Sequence, residues 1–134
     1  MPTERPQLSG VLETVLYYKD QQRAADFYAD VLGMRLLDRE PGRSLFFRAG
    51  DSVFLMFDAV ETARGGKLPP HGANGSIHTC FRVPADEYEP WKTYLGQCGV
   101  RVFNEIEWQR GWSFYFHDPE GNLLEIANAD IWPR

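Results

Sequence analysis

From residue 11 onward the chain switches between two hydrophobic periods. Val11-Leu12-Glu13-Thr14-Val15-Leu16-Tyr17-Tyr18 is rich in β-branched and aromatic residues and predicts a strand. Apolar positions then recur at helical spacing, at Ala24, Phe27, Tyr28, Val31 and Leu32, and predict a helix over 21–32. Asp20 stands where an N-cap belongs, and Gly33 where a glycine in the left-handed region would stop the helix. Three short runs follow, 34–39, 44–49 and 52–58, set apart by Pro41-Gly42 and Gly50-Asp51, and each predicts a strand. The stretch 59–75 breaks the pattern with Gly65-Gly66, Pro69-Pro70, Gly72 and Asn74-Gly75, which rule out a long regular element and predict a linker loop.

The same order then returns. A strand over 76–83 precedes a helix over 86–98 with Tyr88, Trp91, Tyr94 and Leu95 as its apolar face, and Gly99 ends it as Gly33 ends the first. Pro90 fits near the start of that helix. Strands over 100–107, 112–117 and 122–128 complete the series. The pattern predicts an α+β fold of two tandem βαβββ modules in a curved, mostly antiparallel sheet around a concave cavity. A loose arm covers 1–10, the modules 11–58 and 76–128, the linker 59–75, and a tail 129–134 in which Ile131 and Trp132 are candidate anchors. A small sheet cannot bury its face alone, so the two units are expected to pack together.

Registering the repeats places Glu13-Thr14 on His78-Thr79 and Leu55 on Glu125. Side chains alternate faces along a strand. Glu13, Val15 and Tyr17 therefore share one face of the first strand, His78, Cys80 and Arg82 one face of the fifth, and Leu123, Glu125 and Ala127 one face of the last. The opposite, mainly aliphatic and aromatic sets suit packing against the helices. Positions 13, 55, 78 and 125 are then equivalent positions on the concave side. Three of them carry possible metal ligands, and the fourth is Leu55. Glu125 is the sharpest of these signals. It lies in the apolar run that follows the turn Asp118-Pro119-Glu120-Gly121, where an unpartnered carboxylate is costly. Each residue taken alone also fits a polar face turned to water, a structural histidine, or a carboxylate paired with Arg82 or Arg101.

Composition narrows the function classes. The 134 residues are 43% hydrophobic and 14% aromatic, ample for a core and an apolar pocket. A formal charge of −5 argues against general nucleic-acid binding. No apolar run reaches membrane-spanning length, Met1-Pro2-Thr3-Glu4-Arg5-Pro6 lacks a signal-peptide pattern, and Cys80 and Cys98 do not make a disulfide framework. A reduced cytoplasmic protein is the expectation.

These motifs resemble the glyoxalase/bleomycin-resistance/extradiol-dioxygenase (vicinal oxygen chelate) superfamily. The resemblance runs through Glu13-Thr14-Val15-Leu16-Tyr17-Tyr18-Lys19-Asp20, Phe27-Tyr28-Ala29-Asp30-Val31-Leu32-Gly33-Met34, His78-Thr79-Cys80-Phe81-Arg82-Val83 and Phe114–Ile126, and it is nearest to glyoxalase I-like proteins. It implies a homodimer holding one divalent metal ion (Mn, Fe, Co, Ni or Zn) on Glu13, His78 and Glu125. It also implies lyase or isomerase chemistry on a vicinally oxygenated substrate through a metal-stabilised enediolate. Glu125 and Glu13 are the candidate catalytic carboxylates, and Tyr17, Arg82, Tyr115 and His117 the candidate substrate contacts. Arg48 and Arg110 are further candidate anchors for an anionic group, and Phe46, Phe57, Trp108 and Trp112 candidate pocket walls. Two departures matter: Leu55 stands where glyoxalase I has a fourth ligand, a Glu, and Tyr17 where it often has an Arg. A metal-dependent dioxygenase and a non-catalytic, bleomycin-resistance-like binding protein are the alternatives.

Overall fold

Two four-stranded sheets are built by the same rule. In a computed structural model, which describes residues 5–128 and 131–133, β1 (Glu13–Tyr18) lies parallel to β4 (Ser52–Asp58), and antiparallel pairing continues through β3 (Ser44–Ala49) to β2 (Arg35–Glu40). In the second sheet β5 (His78–Val83) lies parallel to β8 (Leu123–Asn128), followed by β7 (Gly111–His117) and β6 (Phe103–Trp108). The strand orders β1-β4-β3-β2 and β5-β8-β7-β6 are the same path traced twice. Antiparallel pairs outnumber parallel ones two to one in each. Residues 1–4 of the expected arm and 129, 130 and 134 of the expected tail lie outside the described residues.

The helices sit where the periodicity places them, with one irregularity. Asp20 caps α1 (Gln21–Ala25), its carboxylate accepting from the Arg23 amide at 3.1 Å. The helix then widens to π geometry over Asp26–Val31, where the Leu32 amide donates to Phe27 O, and Gly33, at φ 75°, ends it. Gly99 does the same, at φ 77°, for α3 (Tyr88–Gln97), which follows a 3₁₀ turn at Ala85–Glu87. The linker holds one short helix, α2 (Ala59–Ala63), capped by Asp58. No helix among the described residues is long and apolar enough to cross a membrane.

A single apolar core joins the two sheets. Leu16, Tyr18, Phe47, Phe54 and Met56 enter it from the first, Phe114, Phe116, Leu124 and Ile126 from the second, and Tyr28 and Leu95 from the helices. Phe27 meets Phe116 at 6.5 Å and Phe54 meets Phe81 at 5.7 Å between ring centroids. Every one of these strand residues belongs to the set opposite Glu13, His78 or Glu125. The core-facing sides of both sheets thus point towards each other, and the faces carrying the candidate ligands point away. In the tail, Ile131 lies against Gly111, where a side chain would collide with Asn128 and Ile131, whereas Trp132 is 77% exposed.

Candidate functional site

The second sheet brings two of the predicted ligands together. His78 pairs with Leu123 and Cys80 with Glu125 across the parallel β5–β8 ladder, which sets His78 diagonal to Glu125. The His78 Nε2 lies 3.1 Å from Glu125 Oε1. The Leu123 carbonyl, 2.9 Å from His78 Nδ1, only accepts, so Nδ1 carries a hydrogen and Nε2 is turned towards the Glu125 carboxylate. A ring nitrogen and a carboxylate oxygen at that distance share either a proton, as a hydrogen bond, or a cation. Both side chains are of types that ligate metals, and the backbone carbonyl orients the imidazole from behind, as it does for metal-binding histidines. Glu125 is only 5% exposed, so its carboxylate depends on these partners.

Aromatic and sulfur groups frame the pair. The Tyr115 ring, opposite Glu125 in the β7–β8 ladder, lies 6.0 Å from the His78 ring. Burial and then the Glu125 carboxylate raise the Tyr115 hydroxyl above its ordinary pKa and keep it neutral. His117 stacks on Phe103 at 5.0 Å, and Phe103 also faces Tyr115. Cys80 keeps solvent access, yet surrounding protein and then the Glu125 carboxylate push its thiol up to about 12.

Glu13 stands on the other sheet. It pairs with Val53, and Leu55 follows two positions on, so Glu13 and Leu55 hold the diagonal that His78 and Glu125 hold in the second sheet. Among the described residues, no group of three or more His, Cys, Asp and Glu side chains converges to hold a metal within one chain. Glu13 is exposed on its own outward face, and Leu55 is 9% exposed.

The first sheet adds a residue that sequence reasoning missed. The linker folds back and sets His71 over the outward face, with Tyr17 Oη and His71 Nδ1 2.7 Å apart. The His71 ring meets Phe57 edge-on at 4.9 Å, and Phe57 meets Phe46 at 5.8 Å. The His71 amide donates to Thr62 O at 3.1 Å, which ties the loop to α2. Nothing in the Gly- and Pro-rich sequence around His71 signals this placement.

The remaining candidates divide differently. Arg48 and Arg82 line a cavity of about 860 Å³ between the sheets, with Thr14, Phe54, Thr79 and Trp91 in its wall. Glu13, His78 and Glu125 are not part of that wall. Thr79 Oγ1 is buried there without a partner among the described residues. Trp108 and Trp112 are about two-fifths exposed, and Trp108 Nε1 donates to Ser113 Oγ at 2.8 Å. The turn before β8 turns out to be a clamp between the modules. The buried Asp118 carboxylate accepts from Tyr28 Oη at 2.7 Å, from the amides of Glu120 and Asn122, and from Asn122 Nδ2. Asn122 in turn accepts from the Ile77 amide and donates to Tyr17 O, and Glu120 accepts from the Asp20 amide.

Comparisons with known proteins show the family and the fold. The family model of the Glyoxalase/Bleomycin resistance protein/Dioxygenase superfamily matches residues 10–126. The sequence is 29% identical to a glutathione transferase FosA of Serratia marcescens, covering 95% of this chain and 86% of that protein. It is also 29% identical to a lactoylglutathione lyase of Pseudomonas aeruginosa, covering 88% of this chain and 81% of that one. Among solved structures, a lactoylglutathione lyase from Agrobacterium tumefaciens superposes with a TM-score of 0.90 at 33% identity, over 96% of this chain and all of that one.

Proposed function

The chain belongs to the Glyoxalase/Bleomycin resistance protein/Dioxygenase superfamily, and from that premise we propose that it is a metal-dependent lyase or isomerase of the glyoxalase type, acting on a small molecule with two adjacent oxygens. The observation that carries the reading is the His78–Glu125 pair, an imidazole oriented by a backbone carbonyl with its Nε2 3.1 Å from a buried carboxylate. Glu13, His78 and Glu125 would hold one divalent ion, Mn, Fe, Co, Ni or Zn, all of which accept mixed oxygen and nitrogen ligation. Such an ion, when bound, supplies Lewis-acid polarisation of paired substrate oxygens. The chain's own residues do the rest. Glu125 takes a proton from the carbon beside the substrate carbonyl and returns it to the neighbouring carbon. Tyr115 and His117 hydrogen-bond the substrate, and Arg82 steers an anionic group from the edge of the same sheet.

Glu13 joins the pair from a second copy of the chain. Both ligand-bearing faces point away from the shared core, and β1 and β5 are sheet edges with unpaired backbone groups. Leu8 and Val11 are 97% and 81% exposed just before β1, apolar surface that a partner would cover. A homodimer is the assembly that this reading calls for. Likeness over 95% of the chain to a glutathione transferase favours a second reading, thiol transfer to a substrate held at the same three ligands.

Metal analysis of the purified protein tests the class: about one divalent ion per chain is expected, lost in His78→Ala. No bound metal, with thermal stability unmoved by Mn, Ni or Zn, would sink the metalloenzyme reading. Turnover of the methylglyoxal–glutathione hemithioacetal then separates lactoylglutathione lyase activity from activity on another substrate. With Leu55 and Tyr17 in place, slow or absent turnover is expected.

A further inference from the structure

One dipeptide, Asn122-Leu123, holds His78 from two directions. The Ile77 amide donates to Asn122 Oδ1 at 3.2 Å, and the Leu123 amide donates to Ile77 O at 2.9 Å, so the residue before His78 is fixed at both its polar backbone groups. The His78 ring then turns Nδ1 back to Leu123 O at 2.9 Å. Glu125 lies two residues beyond Leu123, on the same face of β8. Backbone and ring of the candidate ligand are thereby referred to the start of the strand that carries its partner.

Asn122 can do this in one orientation only. Its side chain is buried, at 2% exposure of the residue. The Ile77 amide only donates, so it must face the Asn122 oxygen, and the ionised Asp118 carboxylate only accepts, so it must face the Asn122 nitrogen, 2.8 Å away. That nitrogen also donates to Tyr17 O at 3.4 Å, so the edge strands β1 and β5, which carry Glu13 and His78, are both tied to this carboxamide. The first module shows the same strand pair without the device. Its Val53 amide donates to Leu12 O at 3.1 Å, the counterpart of the Leu123–Ile77 bond. Ser52 stands where Asn122 does, and its hydroxyl turns instead to Ala49 O at 3.1 Å. Leu12 is 74% exposed, whereas Ile77 packs against the core. Pairing of the parallel strands therefore does not depend on asparagine at this position.

Resting on the reading of His78 and Glu125 as metal ligands, we propose that Asn122 is a positioning residue of that centre: its carboxamide fixes Ile77 and thereby aims the His78 imidazole at Glu125. Asp118 is the support that holds the carboxamide in its one working orientation.

Three variants of the full chain test it. Asn122→Ser gives the second module the residue of the first. Ile77→Pro removes the donated hydrogen and leaves the Asp118–Asn122 bonds in place, at a point before an edge strand where proline is tolerated. Tyr28→Phe is the control, because it takes a bond from Asp118 and lowers stability while keeping the Asn122–Ile77 bond. Zinc titration against a competing chelator, below the melting transition of every variant, is expected to show binding about tenfold weaker in Asn122→Ser and Ile77→Pro, the usual cost of losing a residue behind a ligand, and unchanged in Tyr28→Phe. NMR cross-peaks between the His78 and Tyr115 rings, whose centroids lie 6.0 Å apart, should vanish in the first two variants and persist in the control. If Asn122→Ser does not fold, Ile77→Pro carries the test. Affinities and cross-peaks that stay as in the wild type, or that fall in all three variants in step with melting temperature, would overturn the proposal. If the wild type binds no zinc, the metal reading has failed, and the ring cross-peaks of the metal-free protein decide: lost in Asn122→Ser and Ile77→Pro but kept in Tyr28→Phe, they uphold the positioning role, and any other pattern overturns it.

Discussion

The outward faces of the two sheets share one plan and differ in chemistry. In the second, His78 and Glu125 occupy the diagonal across the parallel strand pair and touch. In the first, Glu13 and Leu55 occupy the same diagonal, and the carboxylate has an aliphatic neighbour. Strand order and register are the same in both, so the topology supplies four equivalent positions and the residue at each sets its chemistry. The first sheet carries the aromatic end instead, with Tyr17, Phe57 and Phe46 under His71. One module thus presents two of the three candidate ligands, and the other a single carboxylate and a hydrophobic surface.

The strongest way to break this division is to remove a ligand from each side. His78→Ala is expected to weaken metal binding by at least ~100-fold, beyond what the loss of a residue behind a ligand costs, and Glu13→Ala should do comparable damage from the opposite sheet. If Glu13 reaches the pair from a second copy, co-refolding the two variants restores about one metal per mixed dimer, because one of its two sites then has every ligand. Metal stoichiometry by mass spectrometry reads this, and no recovery on mixing would refute the shared site.

Next in size is the clamp between the modules. Tyr28→Phe removes the hydroxyl that donates to the buried Asp118 carboxylate, and should cost about 1.5–3 kcal/mol in urea unfolding. Burial, then Asp118, raises the Tyr28 pKa well above its ordinary value. A raised folded-state pKa means that the stabilisation is complete below about pH 10 and declines as pH rises through the folded value. The alkaline loss should be shallower in Tyr28→Phe, and parallel pH profiles would count against the clamp.

Leu55→Glu sharpens the comparison by giving the first sheet the carboxylate that the second has at Glu125. Metal affinity is expected to rise about tenfold, some 1.4 kcal/mol, as titration calorimetry would show. The smallest effect lies away from both faces. Lys92 and then Tyr88 hydrogen-bond Glu105 and hold its pKa below the ordinary carboxylate value. A lowered folded-state pKa means that this stabilisation is present above the ordinary carboxylate pKa and is lost as pH falls through the folded value. Lys92→Ala should flatten the acid limb by less than ~1 kcal/mol, as expected of an exposed pair, and leave metal binding as it was.

Much of this plan is legible in the residues. Period-two and helical runs, Asp20, Gly33 and Gly99 mark the elements, and the repeat alone predicts that Glu13 answers to His78 and Leu55 to Glu125, as the strand registers have it. Less regular features escaped. Widening of the first helix at Asp26–Val31 leaves no mark in its apolar spacing. Asp118 and Asn122 read as turn residues, and their use as a clamp depends on Tyr28, which is distant in sequence.

By itself, the sequence determined the two modules, the faces of their strands and the family, because alternation and helical periodicity are local properties of the chain. Tertiary structure alone decided which face neighbours which. Burying both apolar faces in one core turns the faces with the candidate ligands outward, leaving Glu13 apart from His78 and Glu125 within a chain. It also brings His71 from an irregular linker onto Tyr17, a contact that no periodicity encodes.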